Sequence, residues 1–545
     1  MGPFLYGGGD YEKILGMYRR YWQQFSKYWG YFILVTIGSS FIIGQVVIPG
    51  LTWLVQKMME LANIPYLSYT NIVSVIIGHP VVAVGLLIIL IITLLAAYLQ
   101  FTIWMAIVAN IRAQQNVSIW QLIVERIKDL RRVRFTTMLV TIAYLIVVVP
   151  FSKTIFQSEL LSKITIPVFI LDDMWNSATI WVPIVTFTLL AVFLSIRLIT
   201  FLPGTINRHE TTFEVIVDSW RETKGHFFKI AVKLFASSFL LGLIGAVSRG
   251  ILYVVQTLLD QHLPAIALGG AVINLMLLEI INQILMVMGV VFIVNIALDE
   301  FQGSIVSKSA QTNGVVRFKK LKRSLAVVLV VVIGGAAGVY NFAYFKGALI
   351  DPPLVIAHRG VDDQNGVQNT IPALEKTAKE KPDFVEMDIH ETKDHQFVVI
   401  HDGNLKNLAG VNKKVHDLTL AQLTQLTVSE NDQSAKIPSF NDYLAAAEKN
   451  HQKLLVEIKT SNEDSPEMVS NFLKLYQKRM LADGNYMHSL SYPVITKVKK
   501  QEPQLFSSFI LPYNLAFPRT QANAYTMEET TLTQAFMDQA HKRNK

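Results

Sequence analysis

Phe384-Val385-Glu386-Met387-Asp388-Ile389 is the stretch on which the fold turns. Glu386 and Asp388 lie two apart, so on a strand both carboxylates point to the same side. Similar short β-type runs surround it at Leu354–Ala357, Phe397–Ile400, Leu454–Ile458, Tyr486–Leu490 and Leu505–Leu511. Helices fit the intervals: Ile371–Lys379, Leu420–Leu426, Phe440–Lys449, Pro466–Met480 and Tyr492–Gln501. Thr419 with Gln422 forms a capping box and Ser439 with Asp442 a weaker one, while Pro372 sits in a first turn that tolerates it. Strand and helix in alternation predict a parallel sheet, most simply a TIM-type (β/α)₈ barrel.

The rest of the chain is unlike this part. Of 545 residues, 51% are hydrophobic and only 17% charged, where a soluble protein carries about a quarter charged. Mean hydropathy is +0.36. This composition excludes a disordered chain and argues against a wholly soluble one. With no cysteine, disulfides, thiolate metal sites and cysteine nucleophiles are excluded. Met1–Lys346 carries 27 Lys+Arg against 16 Asp+Glu, and Gly347–Lys545 carries 22 against 25. A basic, apolar membrane domain (1–346) thus precedes a mildly acidic domain of soluble composition (347–545). The basic pI of about 9.2 follows from the membrane part and predicts no nucleic-acid partner.

Seven segments offer the apolar length of a membrane span: Tyr31–Gln56, Val82–Ala106, Phe135–Ser152, Trp175–Leu202, Leu234–Val255, Ile266–Leu298 and Leu325–Phe345. Gly38, Gly44 and Pro49 are candidates to break the first into a re-entrant segment. Basic residues gather in alternate loops: Arg19, Arg20 and Lys27; Arg126, Lys128, Arg131, Arg132 and Arg134; Arg208, Arg221 and Lys224; Arg317, Lys319, Lys320, Lys322 and Arg323. These mark the cytoplasmic side, with the N-terminus inside and the barrel outside. The expected location is a multi-pass protein of the cell membrane. Arg249 and Glu279 lie nearest the middle of spans and predict a buried polar pair, or a cavity for a lipid headgroup. The basic, amphipathic Ser118–Arg134 predicts contact with lipid at the inner surface. A membrane domain of this size also has room for a homo-oligomer interface.

In a barrel of this kind, chemistry belongs at the carboxyl ends of the strands. There the runs end in His358-Arg359-Gly360, Glu386-Met387-Asp388, His401-Asp402 and Glu457-Ile458-Lys459. Glu386, Asp388 and Glu457 form a hard-oxygen site for Ca²⁺ or Mg²⁺. His358 and His401 supply a base and an acid, and Arg359 and Lys459 hold an anion. Metal, two histidines and two cations together point to a phosphodiester. His390 is in phase with Asp388 but one position past the strand end, and is expected to be structural or solvent-facing. His416 and His451 read as surface residues, and Glu463-Asp464 as a solvated loop.

These segments, with Gln368-Asn369-Thr370, Val385-Glu386-Met387-Asp388, Val399-Ile400-His401-Asp402 and Val456-Glu457-Ile458-Lys459, resemble the glycerophosphodiester phosphodiesterase family in order and spacing. The multi-span part is similar to the membrane domain that accompanies this enzyme in some Gram-positive bacteria. The resemblance implies a TIM-type barrel that cleaves glycerophosphodiesters to sn-glycerol 3-phosphate and an alcohol. It implies His358 and His401 as the acid/base pair, Glu386, Asp388 and Glu457 as metal ligands, and Arg359 and Lys459 as phosphate contacts. Two positions depart from the pattern. Gln368 stands where the family commonly has Glu, and the Trp-Thr-Val-Asn segment of later barrel strands is not found. Leu349–Lys545 covers roughly 200 residues against about 250 for a closed barrel, so the barrel is expected to lack its last strands. The competing expectations are an impaired enzyme that binds lipid or a protein partner, and a transporter carrying an accessory barrel.

Overall fold

The computed structural model describes residues 8–115, 118–130, 134, 136–137, 139–141, 143–144, 178–207, 211–303, 305, 319–349, 353–512, 514, 516–529 and 532–545. Two compact units emerge: Met1–Val55 with Val84–Ile350, and Gln56–Ala83 with Asp351–Lys545.

The first unit is helical, as its long apolar runs require, because lipid leaves a backbone only internal hydrogen bonds. Its helices are α1 (Gly8–Ile42), α2 (Ile48–Leu61), α4 (Pro80–Arg112), α5 (Ile119–Leu130), α6 (Ala178–Arg197), α7 (Phe201–Asn207), α8 (Thr212–Glu222), α9 (Phe227–His262), α10 (Pro264–Glu300) and α11 (Lys319–Phe345); α3 (Ile72–Gly78) and the end of α2 belong to the second unit. Among the described residues, five helical stretches are long and apolar enough to cross a membrane: Leu15–Leu61, Pro80–Arg112, Phe227–His262, Pro264–Glu300 and Arg323–Phe345. A shorter apolar helix covers Trp181–Arg197. Most of the expected span Phe135–Ser152 lies outside the described residues.

The first span does not re-enter. Between α1 and α2 the helix widens into a π-turn at Ile43–Val47 and runs on. The wider turn takes up the missing N–H of Pro49, which would otherwise interrupt the ladder. Small residues let α10 and α11 approach closely, since a Cβ on Gly338 would lie 2.7 Å from Met276 Sδ. Polar ends tie the helices together. Arg112 pairs with Asp299 at 2.6 Å and Lys233 with Glu300 at 2.6 Å, and Tyr21 donates to Asp299 at 2.5 Å.

The expected pair of Arg249 with Glu279 does not form among the described residues. Glu279 instead accepts from Asn341 Nδ2 on α11 at 3.5 Å. It borders a cavity of about 280 Å³ between α1, α10 and α11, otherwise lined mainly by apolar side chains such as Trp29, Ile33 and Val331.

In the second unit, six parallel strands follow the order β1 (Ile356–Ala357), β2 (Phe384–Glu391), β6 (Leu454–Ile458), β7 (Tyr486–Ser489), β8 (Ser507–Ile510) and β9 (Ala524–Thr526). The short β3 (Phe397–Val399) pairs antiparallel with β2, and β4 (Thr427–Glu430) with β5 (Gln433–Lys436) makes a separate hairpin. Helices α12 (Ile371–Thr377), α13 (Phe440–Lys449), α14 (Met468–Ala482) and α15 (Tyr492–Gln501) fall in the intervals, and α16 (Gln534–His541) follows β9. Val385, Met387, Ile389, Val456, Met487 and Phe509 enter one buried apolar core with Phe440, Leu444 and Phe472 of α13 and α14. The alternate residues of the same strands face the other way. Parallel strands covered on both faces normally read as continuous apolar runs, so polar residues at these alternate positions mark a site.

Two expectations about strands need correction. Phe397–Ile400 is not a parallel barrel strand: β3 returns antiparallel from β2 after a tight turn, and this hairpin carries His401-Asp402. A parallel return would need a crossover of a dozen residues or more, and only five separate Glu391 from Phe397. In addition, β9 extends the parallel sheet beyond Leu511, with Phe509 paired to Tyr525.

Candidate active site

Strand register assembles the centre. Asp388 of β2 pairs with Glu457 of β6, Glu457 with His488 of β7, and His488 with Ser508 of β8. Because paired residues in adjacent strands point to the same face, this row shares one side of the sheet, with Glu386 two residues before Asp388. All five are buried. His488 Nε2 lies 3.4 Å from Glu386 Oε1 and 4.0 Å from Glu457 Oε2. Ligand atoms of Glu386, Glu457 and His488 come within 4.8 Å of one another.

Asp388 is engaged differently from the expectation. Its carboxylate contacts Lys459 Nζ at 3.0 Å and accepts from Asn369 Nδ2 at 2.8 Å, while its own N–H donates to Asn369 Oδ1 at 3.0 Å. Lys459 also reaches Glu457 Oε1 at 2.8 Å. Burial alone would raise the Asp388 pKa, yet the Lys459 ammonium and the Asn369 hydrogen bond hold it down to about 2. Burial would likewise depress Lys459, and the two carboxylates beside it keep it above its ordinary value. Glu457 is pushed up by burial, against the pull of Lys459. Asp388, Lys459 and Glu457 thus form a buried cluster in which a cation lies between two carboxylates and each depends on the others.

The turn after β1 supplies the next layer. Arg359 has φ +54° and Gly360 φ +68°, both in the left-handed region. An arginine held there carries backbone strain, which structures retain mainly where surroundings impose it, as at functional sites. Here the Arg359 N–H donates to Glu386 Oε2 at 2.8 Å, and its carbonyl accepts from Asn369 at 2.8 Å. Gly360 is required twice over, because a Cβ there would lie 2.5 Å from Tyr443 Oη. The turn aims the Arg359 guanidinium at Gln368 Oε1 and His401 Nε2, both at 2.8 Å.

His401 is oriented from both sides. Its Nδ1 lies 2.8 Å from Asp402 Oδ1 and its Nε2 faces Arg359, which can only donate. That combination fixes the tautomer with the proton on Nδ1 and the lone pair on Nε2. The hydrogen bond from His401 lowers the Asp402 pKa. His358 is 75% exposed at the mouth of the site, with Nε2 3.9 Å from Glu386 Oε2. His390 is buried and structural, its Nε2 2.9 Å from the His401 carbonyl. His416 is not a surface residue: the loop after β6 folds over it, with Ser461 Oγ at 3.0 Å and Asp464 Oδ1 at 3.3 Å.

Gln368, the departure noted above, has a partner that suits it. Its side-chain amide donates to Glu430 Oε1 at 2.7 Å and its backbone N–H to Glu430 Oε2 at 3.0 Å, while its amide oxygen accepts from Arg359. A glutamate at 368 would set two carboxylates against each other. Glutamine relays Glu430 of the β4–β5 hairpin to Arg359 without that repulsion.

The residues fit a divalent metal. His488 is almost wholly buried, yet neither ring nitrogen has a hydrogen-bond partner, and such orphaned polar atoms are rare without a purpose. Two carboxylates and an imidazole are convergent donors of the kind that hold a divalent ion. The imidazole departs from the all-oxygen set expected for Ca²⁺ or Mg²⁺, and Asp388 stands one step behind it, held by Lys459. Reading the residues alone missed His488, whose signal was its place in the middle of a short strand between Met487 and Ser489.

Both parts of the chain match known proteins. Residues 358–534 match the glycerophosphoryl diester phosphodiesterase family, and residues 18–334 match the membrane domain of glycerophosphoryl diester phosphodiesterase. Lysophospholipase D GDPD1 of Homo sapiens is 32% identical over 166 residues, covering 28% of this chain and 51% of that protein. A glycerophosphodiester phosphodiesterase of Bacillus subtilis is 28% identical over 180 residues, covering 29% of this chain and 60% of that protein. The chain therefore spans about half the length of the first of these relatives. An Oleispira antarctica phosphodiesterase, solved in complex with the product sn-glycerol-3-phosphate, is 18% identical with a TM-score of 0.32, over 35% of this chain and 81% of that one. With its membrane domain matched over more than half its length, the chain belongs to the family of glycerophosphoryl diester phosphodiesterases, phosphoric diester hydrolases, that carry an N-terminal membrane domain.

Proposed function

We propose that the chain hydrolyses glycerophosphodiesters to sn-glycerol 3-phosphate and an alcohol, at the outer face of the cell membrane. One observation carries the reading: a buried carboxylate–imidazole cluster lies beside a histidine of fixed tautomer and two cations suited to phosphate. Glu386, Glu457 and His488, with Asp388 adjacent, are the residues that would hold a divalent metal. When bound, such an ion supplies Lewis-acid polarisation of a phosphoryl oxygen.

The chain's own residues do the rest. Lys459 and Arg359 neutralise the phosphate, Arg359 by its planar fork. As Arg359 turns to the phosphate it releases His401 Nε2, which takes the proton of the attacking hydroxyl or water as the new P–O bond forms. His358, at the open mouth, delivers a proton to the departing alkoxide as the P–O bond to the alcohol breaks. Asp402 keeps the His401 ring oriented. The membrane domain (1–346) anchors the catalytic domain (347–545), and the basic loops support an extracytoplasmic location for the latter. The substrate range includes soluble headgroup diesters, lysophospholipids, as the human relative's name suggests, and glycerophosphate polymers of the wall.

The bond broken is the direct test. Phosphorus NMR of glycerophosphocholine turned over by the purified protein should show glycerol 3-phosphate with free choline. Phosphocholine with free glycerol would place cleavage on the other side of the phosphorus and refute the assignment.

A further inference from the structure

The second compact unit includes a piece of chain from far upstream: Gln56–Ala83, which lies between the first two span-length helices. This piece is itself ordered. Asn71 Oδ1 accepts from the Ser68 N–H at 2.9 Å and its Nδ2 donates to the Tyr66 carbonyl at 2.9 Å. Leu67 is fully buried. The piece docks on the barrel through Tyr66, whose ring meets Phe509 edge-on at 4.9 Å and Tyr492 at 5.4 Å. The Pro65 carbonyl accepts from the Arg519 N–H at 2.7 Å, and the Arg519 guanidinium pairs with Glu60 at 3.0 Å.

The place of docking matters. Tyr492 opens the helix after β7, and Arg519 lies in the loop after β8. Both follow the carboxyl ends of strands, the end at which His488 and Glu457 stand. Beyond the docked turn, α3 and its continuation leave Val73, Ile76, Ile77 and Val81 exposed. From Leu61 to Ile111 the sequence has no Asp, Glu, Lys or Arg. The chain therefore passes, with no Asp, Glu, Lys or Arg, through a non-helical His79 into the span that starts at Pro80. An exposed apolar face whose chain leads directly into a span matches the lipid interface and no aqueous partner.

We propose that Gln56–Ala83 is a membrane-seated rim of the catalytic face. Tyr66 and Arg519 lock it to the barrel, and Val73, Ile76, Ile77 and Val81 sit in the lipid, so the site opens at the bilayer surface. The consequence for substrate choice rests on the phosphodiesterase reading above: diesters displayed by the membrane reach the site more readily than soluble ones.

The chain has no cysteine, which makes a direct test clean. Ile77→Cys in the full-length protein is labelled with a polarity-sensitive fluorophore and reconstituted into phosphatidylcholine–phosphatidylglycerol vesicles. Quenching by nitroxide-bearing lipid, with protection from aqueous iodide, is expected. Free quenching by iodide and none by the lipid would overturn the rim. Activity then reads its consequence. The triple variant Val73→Ser, Ile76→Ser, Ile77→Ser should lose about tenfold in turnover of vesicle-borne lysophosphatidylcholine and stay within about twofold on glycerophosphocholine. Equal loss on both substrates would refute the access role. A wild type inert towards both, with lipid quenching intact, would refute the phosphodiesterase reading and leave the membrane seat standing.

Discussion

His488→Asn tests the metal assignment at its least expected member. The imidazole is buried, 3.4 Å from Glu386 and 4.0 Å from Glu457, and neither nitrogen has another hydrogen-bond partner. Its loss should therefore cost the metal-free protein little, about 1 kcal/mol, and the metal-bound protein much more. Residues that merely support metal ligands change affinity by about 10–100-fold, so a direct ligand should reach about 100-fold. At a metal concentration 100 times the wild-type Kd, binding stabilises the fold by about 2.7 kcal/mol. A 100-fold weaker site keeps only about 0.4 kcal/mol at the same concentration. The difference of about 2.3 kcal/mol corresponds to about 5–9 °C in Tm for a domain of this size. The assay is thermal unfolding of the detergent-solubilised protein in Ca²⁺, Mg²⁺ or Mn²⁺ against chelator. A metal-induced shift as large in the variant as in the wild type would refute His488 as a ligand.

Four further outcomes follow from the geometry. Asp402→Asn replaces the acceptor-only carboxylate that fixes the His401 tautomer with an amide that can also donate, and kcat should fall about 10²–10⁴-fold with KM nearly unchanged, measured by steady-state kinetics. Asn369→Ala frees Asp388 on the side away from Lys459, and calorimetric metal affinity should weaken about 10–100-fold. Gly360→Ala meets both a positive φ and the Tyr443 hydroxyl; it should lose about 1–3 kcal/mol by thermal unfolding, with part restored by adding Tyr443→Phe. Because the Asp388 pKa is held down to about 2, its ionised form stabilises the fold at every pH above the ordinary carboxylate range. In chelator, the stability gap between wild type and Asp388→Asn should be about 2 kcal/mol and flat from pH 5 to 8, closing as pH falls below about 4.

The site's oxygen and nitrogen donors differed in how far they could be read in advance. Glu386 with Asp388, and Glu457 with Lys459, announce themselves because period-two spacing alone puts each pair on one face. His401 is marked by Asp402 beside it, although the strand that delivers it runs opposite to the expected direction. The short Glu391-to-Phe397 connection was the available clue, since it permits a hairpin and not a parallel crossover. His488 depends on register, which a four-residue strand does not declare; only its pairing with Glu457 brings it into the cluster. Gln368 stands out in the sequence only as a departure, because its partner Glu430 comes from a segment with no local relation to it. The same holds for Tyr66, whose partners Tyr492 and Phe509 lie at the opposite end of the chain. Local pattern specifies elements and faces, while long-range pairing decides which faces meet.

The proposed activity is hydrolysis of glycerophosphodiesters by this buried cluster with a divalent metal. Its most direct test is release of glycerol 3-phosphate from glycerophosphocholine by the detergent-purified full chain. Ca²⁺, Mg²⁺, Mn²⁺ and chelator would be compared, beside His401→Ala and Glu457→Ala. Metal-dependent release that chelator abolishes and both variants lose is the expected result. Release that persists in chelator, or survives in Glu457→Ala, would contradict it.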